Sequence, residues 1–231
     1  MMLKRNKDVT RKMFDNIAKS YDFLNHTLSF GMDFYWRRRA IKYLTNNPKT
    51  ILDVATGTAD FAICAAKLKD VRITGIDISE GMVNVGKEKV KRKGLEGVIE
   101  LQIADSENLP FTGNSFDAIT AGFGVRNFEN LEKGLSEMHR VLSKNGMTAI
   151  LEPSKPKTFP LKQIYNIYFH HVLPFFGKLV SKDNSAYTYL PNSVEAFPSG
   201  KDFIKHLKNI GFISCTHIPL TFGIVDLYIA I

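Results

Sequence analysis

The amino-acid sequence predicts an α/β fold: a seven-stranded, mostly parallel sheet with an antiparallel last strand and helices on both faces. Three observations predict it. Short apolar runs alternate with helical stretches between residues 50 and 152, the spacing of βαβ units with right-handed crossovers. These runs are continuous in apolar residues (Ile51, Leu52 and Val54, later Ile73 and Ile76), as strands buried on both faces require. The two last apolar runs lie only a few residues apart, too close for a crossover, so they pair antiparallel.

Residues 10–20 and 30–45 read as helices, from apolar positions at helical spacing such as Met13, Ile17 and Tyr21. Asn25 to Gly31, between them, carries turn-forming Asn, Ser and Gly. Thr50–Val54 is the first strand, followed by Thr56-Gly57-Thr58 and a helix from Asp60 to Leu68. Val71–Ile76 is the second strand, and Ser79 opens the helix that runs to about Lys93. Val98–Ala104 and Phe116–Ala121 are the third and fourth strands. Leu131–Leu142 is a helix closed by Lys144-Asn145-Gly146, and Met147–Glu152 is the fifth strand. A helical insertion over residues 155–200 breaks the rhythm, before a helix at Asp202–Ile210 and strands at Phe212–Ile218 and Phe222–Ile231. The whole reads as one domain, residues 1–231, with residues 1–45 as an N-terminal helical cover.

Composition narrows the class. The 231 residues suffice for a sizeable core, and 44% hydrophobic with 23% charged residues is ordinary for a globular chain. No apolar run approaches the ~20 residues that span a bilayer, and MMLKRNKDVTRK has no apolar stretch behind its basic residues. Cys64 and Cys215 show no metal spacing, so a reduced, cytoplasmic setting is expected. Charge is uneven: in residues 1–42 ten Lys or Arg stand against four Asp, a surplus of six out of the chain's net +8. Such an end suits anionic lipid headgroups or nucleic acid, or is simply a solvated helix face.

Ligands of open α/β sheets bind beyond the carboxyl ends of the strands. Here the first strand ends in Asp53-Val54-Ala55-Thr56-Gly57-Thr58-Ala59-Asp60, where Gly57 permits a tight turn and close approach to a ligand. The second strand ends in Asp77, placed to accept both hydroxyls of a ribose. The third ends in Ala104-Asp105-Ser106, whose polar groups suit an adenine edge, with Leu109 or Ile78 over the ring face. A dinucleotide would want G-x-G-x-x-G, which is missing, and Asp53 and Asp60 would repel its pyrophosphate. S-adenosylmethionine carries an ammonium and a sulfonium instead, and acids beside the loop suit those cations.

Longer motifs narrow the reading. Tyr21-Asp22-Phe23-Leu24-Asn25-His26-Thr27-Leu28-Ser29-Phe30-Gly31 with Trp36, then Phe123-Gly124-Val125-Arg126-Asn127, resemble signatures of the ubiquinone/menaquinone-biosynthesis C-methyltransferase family. Arg140-Val141-Leu142 through Gly146 to Glu152-Pro153-Ser154, and Tyr189-Leu190-Pro191-Asn192-Ser193, resemble two more. The resemblance covers roughly residues 10 to 226 and implies a Rossmann-like class I methyltransferase fold. It implies that Thr58, Asp77, Asp105 and Ser106 contact S-adenosylmethionine, beside Asp53 and Gly57 of the loop. The implied substrate is a prenylated quinol, demethylmenaquinol or alternatively 2-polyprenyl-6-methoxy-benzoquinol. Asp33 stands where the family usually has His, and Gly122 where ubiquinone-type members often have Ser.

Methylating a ring carbon requires in-line placement at about 3–3.5 Å, an oxyanion stabilised as it forms, and a route for the ring proton. Arg126 and Asn127, just past the fourth strand, are the candidates for holding the quinol oxygens; otherwise Arg126 makes a salt bridge to Glu129 or Asp105. The general base is left open among Asp105, His139 and water. Phe159, Tyr165, Tyr168, Phe169, Phe175, Phe176, Tyr187 and Tyr189 make the insertion an aromatic substrate cover. Leu161, Ile164, Tyr165, Tyr168 and Val172 keep helical spacing up to a break at Pro174, and the adjacent His170 and His171 point apart and form no metal pair. A bilayer-borne substrate implies peripheral contact of the basic N-terminal segment with a membrane surface. An RNA substrate would want an N-P-P-Y-type loop or an added RNA-binding module, and neither is in the sequence; no nucleic-acid partner is expected. Homo-oligomerisation is left open, and a non-catalytic cofactor-binding scaffold is the rival from another class.

Overall fold

The structure is a computed structural model and describes residues 6–156, 158–168 and 185–231. Its centre is a sheet in the order β3-β2-β1-β4-β5-β7-β6. The strands are β1 (Thr50–Val54), β2 (Arg72–Asp77), β3 (Ile99–Ile103), β4 (Phe116–Gly122), β5 (Leu142–Pro153), β6 (Cys215–Leu220) and β7 (Val225–Ala230). β3, β2, β1, β4 and β5 run parallel, whereas β7 pairs antiparallel with both β5 and β6. Strand order reverses between β1 and β4, which opens the ligand crevice at their carboxyl ends.

Around the sheet stand α1 (Lys7–Leu28), α2 (Met32–Lys42), α3 (Asp60–Ala65), α4 (Glu80–Arg92) and α5 (Leu131–Val141). They are followed by α6 (Leu161–Ile167), α7 (Ser185–Ala196) and α8 (Lys201–Ile210). Alternate residues of β1 divide the core. Ile51 faces a cluster with Trp36, Phe61 and Val83, while Leu52 and Val54 face one with Leu135, Met138, Phe203 and Leu207. A third cluster joins Met13, Ile17, Ala18 and Leu24 of α1 to Met82, Tyr165 and Val194. That last cluster makes α1, α6 and α7 a roof over the strand ends.

Element order and type follow the sequence expectation; the boundaries shift for local reasons. α1 starts at Lys7 because the Asn6 side chain caps it, accepting from the backbone N–H groups of Asp8 and Val9. It runs on through Asn25, read from sequence as a turn, because Leu24 and Leu28 pack under the roof. The reversal falls at Ser29–Gly31 instead, with Gly31 in the left-handed region at φ 73°. α3 stops at Ala65 rather than Leu68. β5 starts directly at Leu142, and the expected Lys144–Gly146 break is an irregularity within its pairing to β4. The expected break at Pro174, Val172, the His170–His171 pair, Phe169, Phe175 and Phe176 lie outside the described residues.

Candidate active site

The loop after β1 holds three residues at positive φ, Ala55, Gly57 and Ala59, so it folds back tightly over the strand end. Asp53 fixes that curl from beneath. Fully buried, it accepts from the hydroxyls of Thr56 and Thr120, both at 2.6 Å, and from the Ala62 N–H at 3.1 Å. Burial raises its pKa to about 6, against the opposing hydrogen bonds from Thr120, Thr56 and Ala62. Asp77 ties the next two turns together: it accepts from the Gly57 N–H and the Ser79 N–H, each at 2.9 Å. Burial raises its pKa too, opposed by those same backbone donors.

Gly57, Asp77, Ile78, Asp105, Ser106 and Asn127 line one cleft at the ends of β1 to β4. Leu109 does not cover it, being packed in the core beside Phe116. Asp53 and Thr58 line a smaller polar pocket under the Gly57 loop, which also holds Arg37 and Asp60. Thr58 is turned toward the roof: its hydroxyl donates to Asp22 and accepts from the Lys89 ammonium at 3.2 Å. Asp60 has one buried carboxylate oxygen, Oδ2, with no hydrogen-bond partner among the described residues.

Beyond the cleft lies a larger cavity of about 590 Å³, walled by α1, α2, α6, α7 and the turn before β7. Its lining is aromatic and aliphatic, with Arg126 and Asp33 its charged members. Phe14, Tyr21 and Phe123 line both cleft and cavity, so the two spaces meet there. Tyr165, Tyr168 and Tyr189 supply the wall expected of the insertion, whereas Phe159 is 82% exposed. Asp33 is buried and tied to Ser29 (2.7 Å), His26 (2.8 Å) and Arg37 (2.5 Å). Burial would raise its pKa, but the Ser29 hydrogen bond and the Arg37 charge outweigh that and hold it below the ordinary carboxylate range.

Arg126 sits in the cavity wall, and its partner is neither Glu129 nor Asp105. Its backbone N–H and its guanidinium reach Glu152 of the neighbouring strand at 3.2 and 3.0 Å, and the guanidinium also donates to the Phe123 carbonyl. Nε is buried with no partner among the described residues. Asn127 points to the cleft side and accepts from the Tyr189 hydroxyl at 3.1 Å. Of the sequence candidates for general base, Asp105 lines the cleft but pairs with Lys7 at 2.6 Å. His139 packs edge-on against Phe212 and lines neither space. Gly122, too, has a local reason: a Cβ there would lie 2.9 Å from the Phe61 ring.

Sequence reasoning missed Tyr21, Arg37 and Glu152 as site residues, and gave Tyr189 a place in the substrate cover but not its hydrogen bond to Asn127. Tyr21 and Glu152 stood inside the quoted motifs, so the signal was present without a role attached. Arg37 carried only the signal of one more basic residue on a helix.

A sheet of this order, with a glycine turn after β1, acids after β2 and β3, and a roofed second cavity, defines a methyltransferase. The model of the ubiE/COQ5 methyltransferase family matches residues 1–231, and the chain belongs to that family. It is 52% identical over 228 residues to a demethylmenaquinone methyltransferase of Bacteroides fragilis, covering 98% of this chain and 93% of that one. It is 48% identical to a ubiquinone/menaquinone biosynthesis C-methyltransferase of Geotalea daltonii, covering 94% of each. Among solved structures, a putative S-adenosylmethionine-dependent methyltransferase from Methanococcus maripaludis shares the fold. Its TM-score is 0.68 at 20% identity, over 100% of this chain and 96% of that one.

Proposed function

We propose that this enzyme methylates a ring carbon of demethylmenaquinol with S-adenosylmethionine, the last step of menaquinone biosynthesis. The observation that carries the reading is the pair of adjoining spaces: a cleft at the strand ends lined by Asp77, Asp105 and Glu107 among apolar groups, opening onto a cavity of about 590 Å³ that is almost wholly apolar, with Arg126 in its wall. The residues present fit the donor. Asp77 faces the cleft as an acceptor for ribose hydroxyls, and Asp105 with Ser106 for an adenine edge. In the polar pocket, Arg37 complements a carboxylate, and Asp60, whose Oδ2 accepts no hydrogen bond among the described residues and lies 3.6 Å from His26 and 3.9 Å from Arg37, complements an ammonium. When bound, S-adenosylmethionine supplies an electrophilic methyl group on a sulfonium.

The chain's own residues do the rest. Phe14, Tyr21 and Phe123 border the place where donor and acceptor meet, and the apolar walls exclude water from it. Arg126 offers its free Nε–H to a quinol oxygen, stabilising negative charge as the adjacent carbon becomes nucleophilic. Asn127, oriented by Tyr189, stands next to it on the cleft side. Labelled methyl transfer to two demethylated quinol heads tests the reading: transfer to the naphthoquinol is expected to exceed transfer to the methoxybenzoquinol. Binding of NADH with no uptake of S-adenosylmethionine would overturn it.

A membrane surface is the proposed source of substrate. No helix among the described residues is long and apolar enough to cross a bilayer. The cavity mouth nevertheless carries exposed aromatics: Phe30 lines it at 82% exposure, and Phe222 at 76% follows lining residue Thr221. Arg38, Arg39 and Lys42 of the nearby α2 add positive charge. Co-sedimentation with anionic vesicles, weakened by salt, is expected; no binding at low salt would count against this contact.

A further inference from the structure

Helix α1 lies across the cleft like a bar, and its charged residues meet the strand-end turns in the order of the sheet. Lys7 reaches Asp105 and Glu107, after β3, at 2.6 and 3.3 Å. Asp15 accepts from the Ser79 hydroxyl at 2.6 Å and the Gly81 N–H at 2.9 Å, after β2. Asp22 accepts from Thr58, after β1, and from Lys89 at 2.5 Å. These three residues are about two helical turns apart, so they fall on one side of the helix. The approach is close. A Cβ on Gly81 would lie 3.2 Å from the backbone of Asp15. Burial lowers the pKa of Lys7, but its bonds to Asp105 and Glu107 outweigh that and raise it, so it keeps its charge at neutral pH.

The same helix also walls the second space. Lys7 and Thr10 line the cleft, Met13, Ile17 and Leu24 line the large cavity, and Phe14 and Tyr21 line both. A helix held by both ligands is ordered once, and whichever ligand binds second finds that ordering already done.

We infer that Lys7, Asp15 and Asp22 are positioning residues that pin α1 between the two spaces and make occupancy of one strengthen occupancy of the other. The inference rests on the methyltransferase reading above. Donor enters beneath α1, and lifting α1 dismantles a wall of the quinol cavity. Binding is therefore ordered, with donor first and quinol second, and the spent donor leaves last.

The test compares the parent chain with a Lys7→Ala/Asp15→Ala double variant and with Lys7→Ala alone, in case the double variant is loosened throughout. Amide hydrogen exchange is followed with and without S-adenosylhomocysteine. Affinity for a short-tailed demethylated naphthoquinol is measured anaerobically with and without that nucleoside. In the parent, S-adenosylhomocysteine is expected to slow exchange over residues 7–28 and to tighten quinol binding about tenfold, roughly 1.4 kcal/mol of coupling. In the variants the coupling is expected to fall toward unity while exchange in β1 and β4 stays slow. Parent affinities that are independent of each other, or variants that keep the full coupling, would overturn the inference. A parent that takes up no S-adenosylhomocysteine overturns the methyltransferase reading itself, an outcome the exchange data tell apart.

Discussion

The strand-end cleft and the roofed cavity, proposed to take the cofactor and the quinol, share three residues yet are built on opposite plans. The cleft is floored by turns at consecutive strand ends, and Asp77 is held by backbone groups of its own turn and of the loop after β1, with Lys7 of α1 the distant partner of Asp105 and Glu107. The cavity is made of pieces far apart in the chain: the Trp36 indole N–H donates to the Thr221 hydroxyl, closing a wall across 185 residues at 2.7 Å. One space mixes carboxylates with apolar groups and is fixed largely by hydrogen bonds; the other is almost wholly apolar and fixed by packing. The difference shows which chemistry the fold itself provides and which the added helices provide. In the proposed reaction, strand ends hold the donor and the roof chooses the acceptor.

Arg126 is where the two plans meet, and breaking it gives the largest expected effect. Arg126→Ala leaves Glu152, whose pKa burial raises against the opposing Arg126, without its cation in the core. Removing one partner of a buried pair costs about 3–5 kcal/mol, so thermal unfolding should move down by many degrees. Turnover should fall at least a hundredfold while S-adenosylhomocysteine affinity, measured by calorimetry below the transition, changes less than threefold. Equal losses in both would place Arg126 on the donor side and erase the contrast between the two spaces.

Asp53 offers the next effect, and it belongs to the loop after β1 and the small polar pocket beneath it. Its folded pKa of about 6 lies above the unfolded value near 4. The folded state therefore binds more protons between those limits, and this group's contribution to stability is lost as pH rises from 4 to 6. The size is about 3 kcal/mol by the usual conversion. Asp33, Asp117 and Glu137, whose pKa values are lowered, act in the opposite sense. The expectation therefore concerns a difference: the parent's stability relative to Asp53→Asn should fall between pH 4 and 6 and then level off. A difference that does not change with pH would mean the buried carboxylate is already ionised at pH 4.

Much of the cleft could be read from sequence because its signals are local. Gly57, Asp77, Asp105 and Ser106 follow apolar runs whose ends are visible, and the structure brings all four to one space. Thr58 shows the limit: adjacent to Gly57, it faces Asp22 and Lys89 instead, since the left-handed turn at Gly57 and Ala59 swings it toward the roof. The partner of Arg126 was not legible because it depends on β4 lying beside β5, which brings Glu152 within 3.0 Å from 26 residues away. The length of α1 was hidden for a related reason. Asn25 is a turn former by itself, but Leu24 and Leu28 gain more from the roof than the turn would.

Asp77→Ala sharpens the comparison at a smaller scale. It removes the acceptor that the Gly57 and Ser79 N–H groups share, at about 1–3 kcal/mol for buried donors left unpaired. Donor affinity should fall about ten- to a hundredfold, whereas quinol affinity measured without donor should hold within threefold. A matching loss of quinol affinity would mean that the strand-end turns also shape the apolar space.

Tyr189→Phe carries the smallest expected effect and probes the boundary from the roof side. The substitution keeps the ring in the cavity wall and removes only the hydroxyl that donates to Asn127 at 3.1 Å. A hydrogen bond of this kind contributes about 1 kcal/mol, so stability should move little and kcat should drop about fivefold. Because the wall is intact, KM for the quinol should stay near the parent value, and the loss should fall on kcat as expected of a residue that orients Asn127. A rise in KM with kcat unchanged would show instead that the hydroxyl touches the quinol directly, moving Tyr189 from positioning residue to substrate ligand.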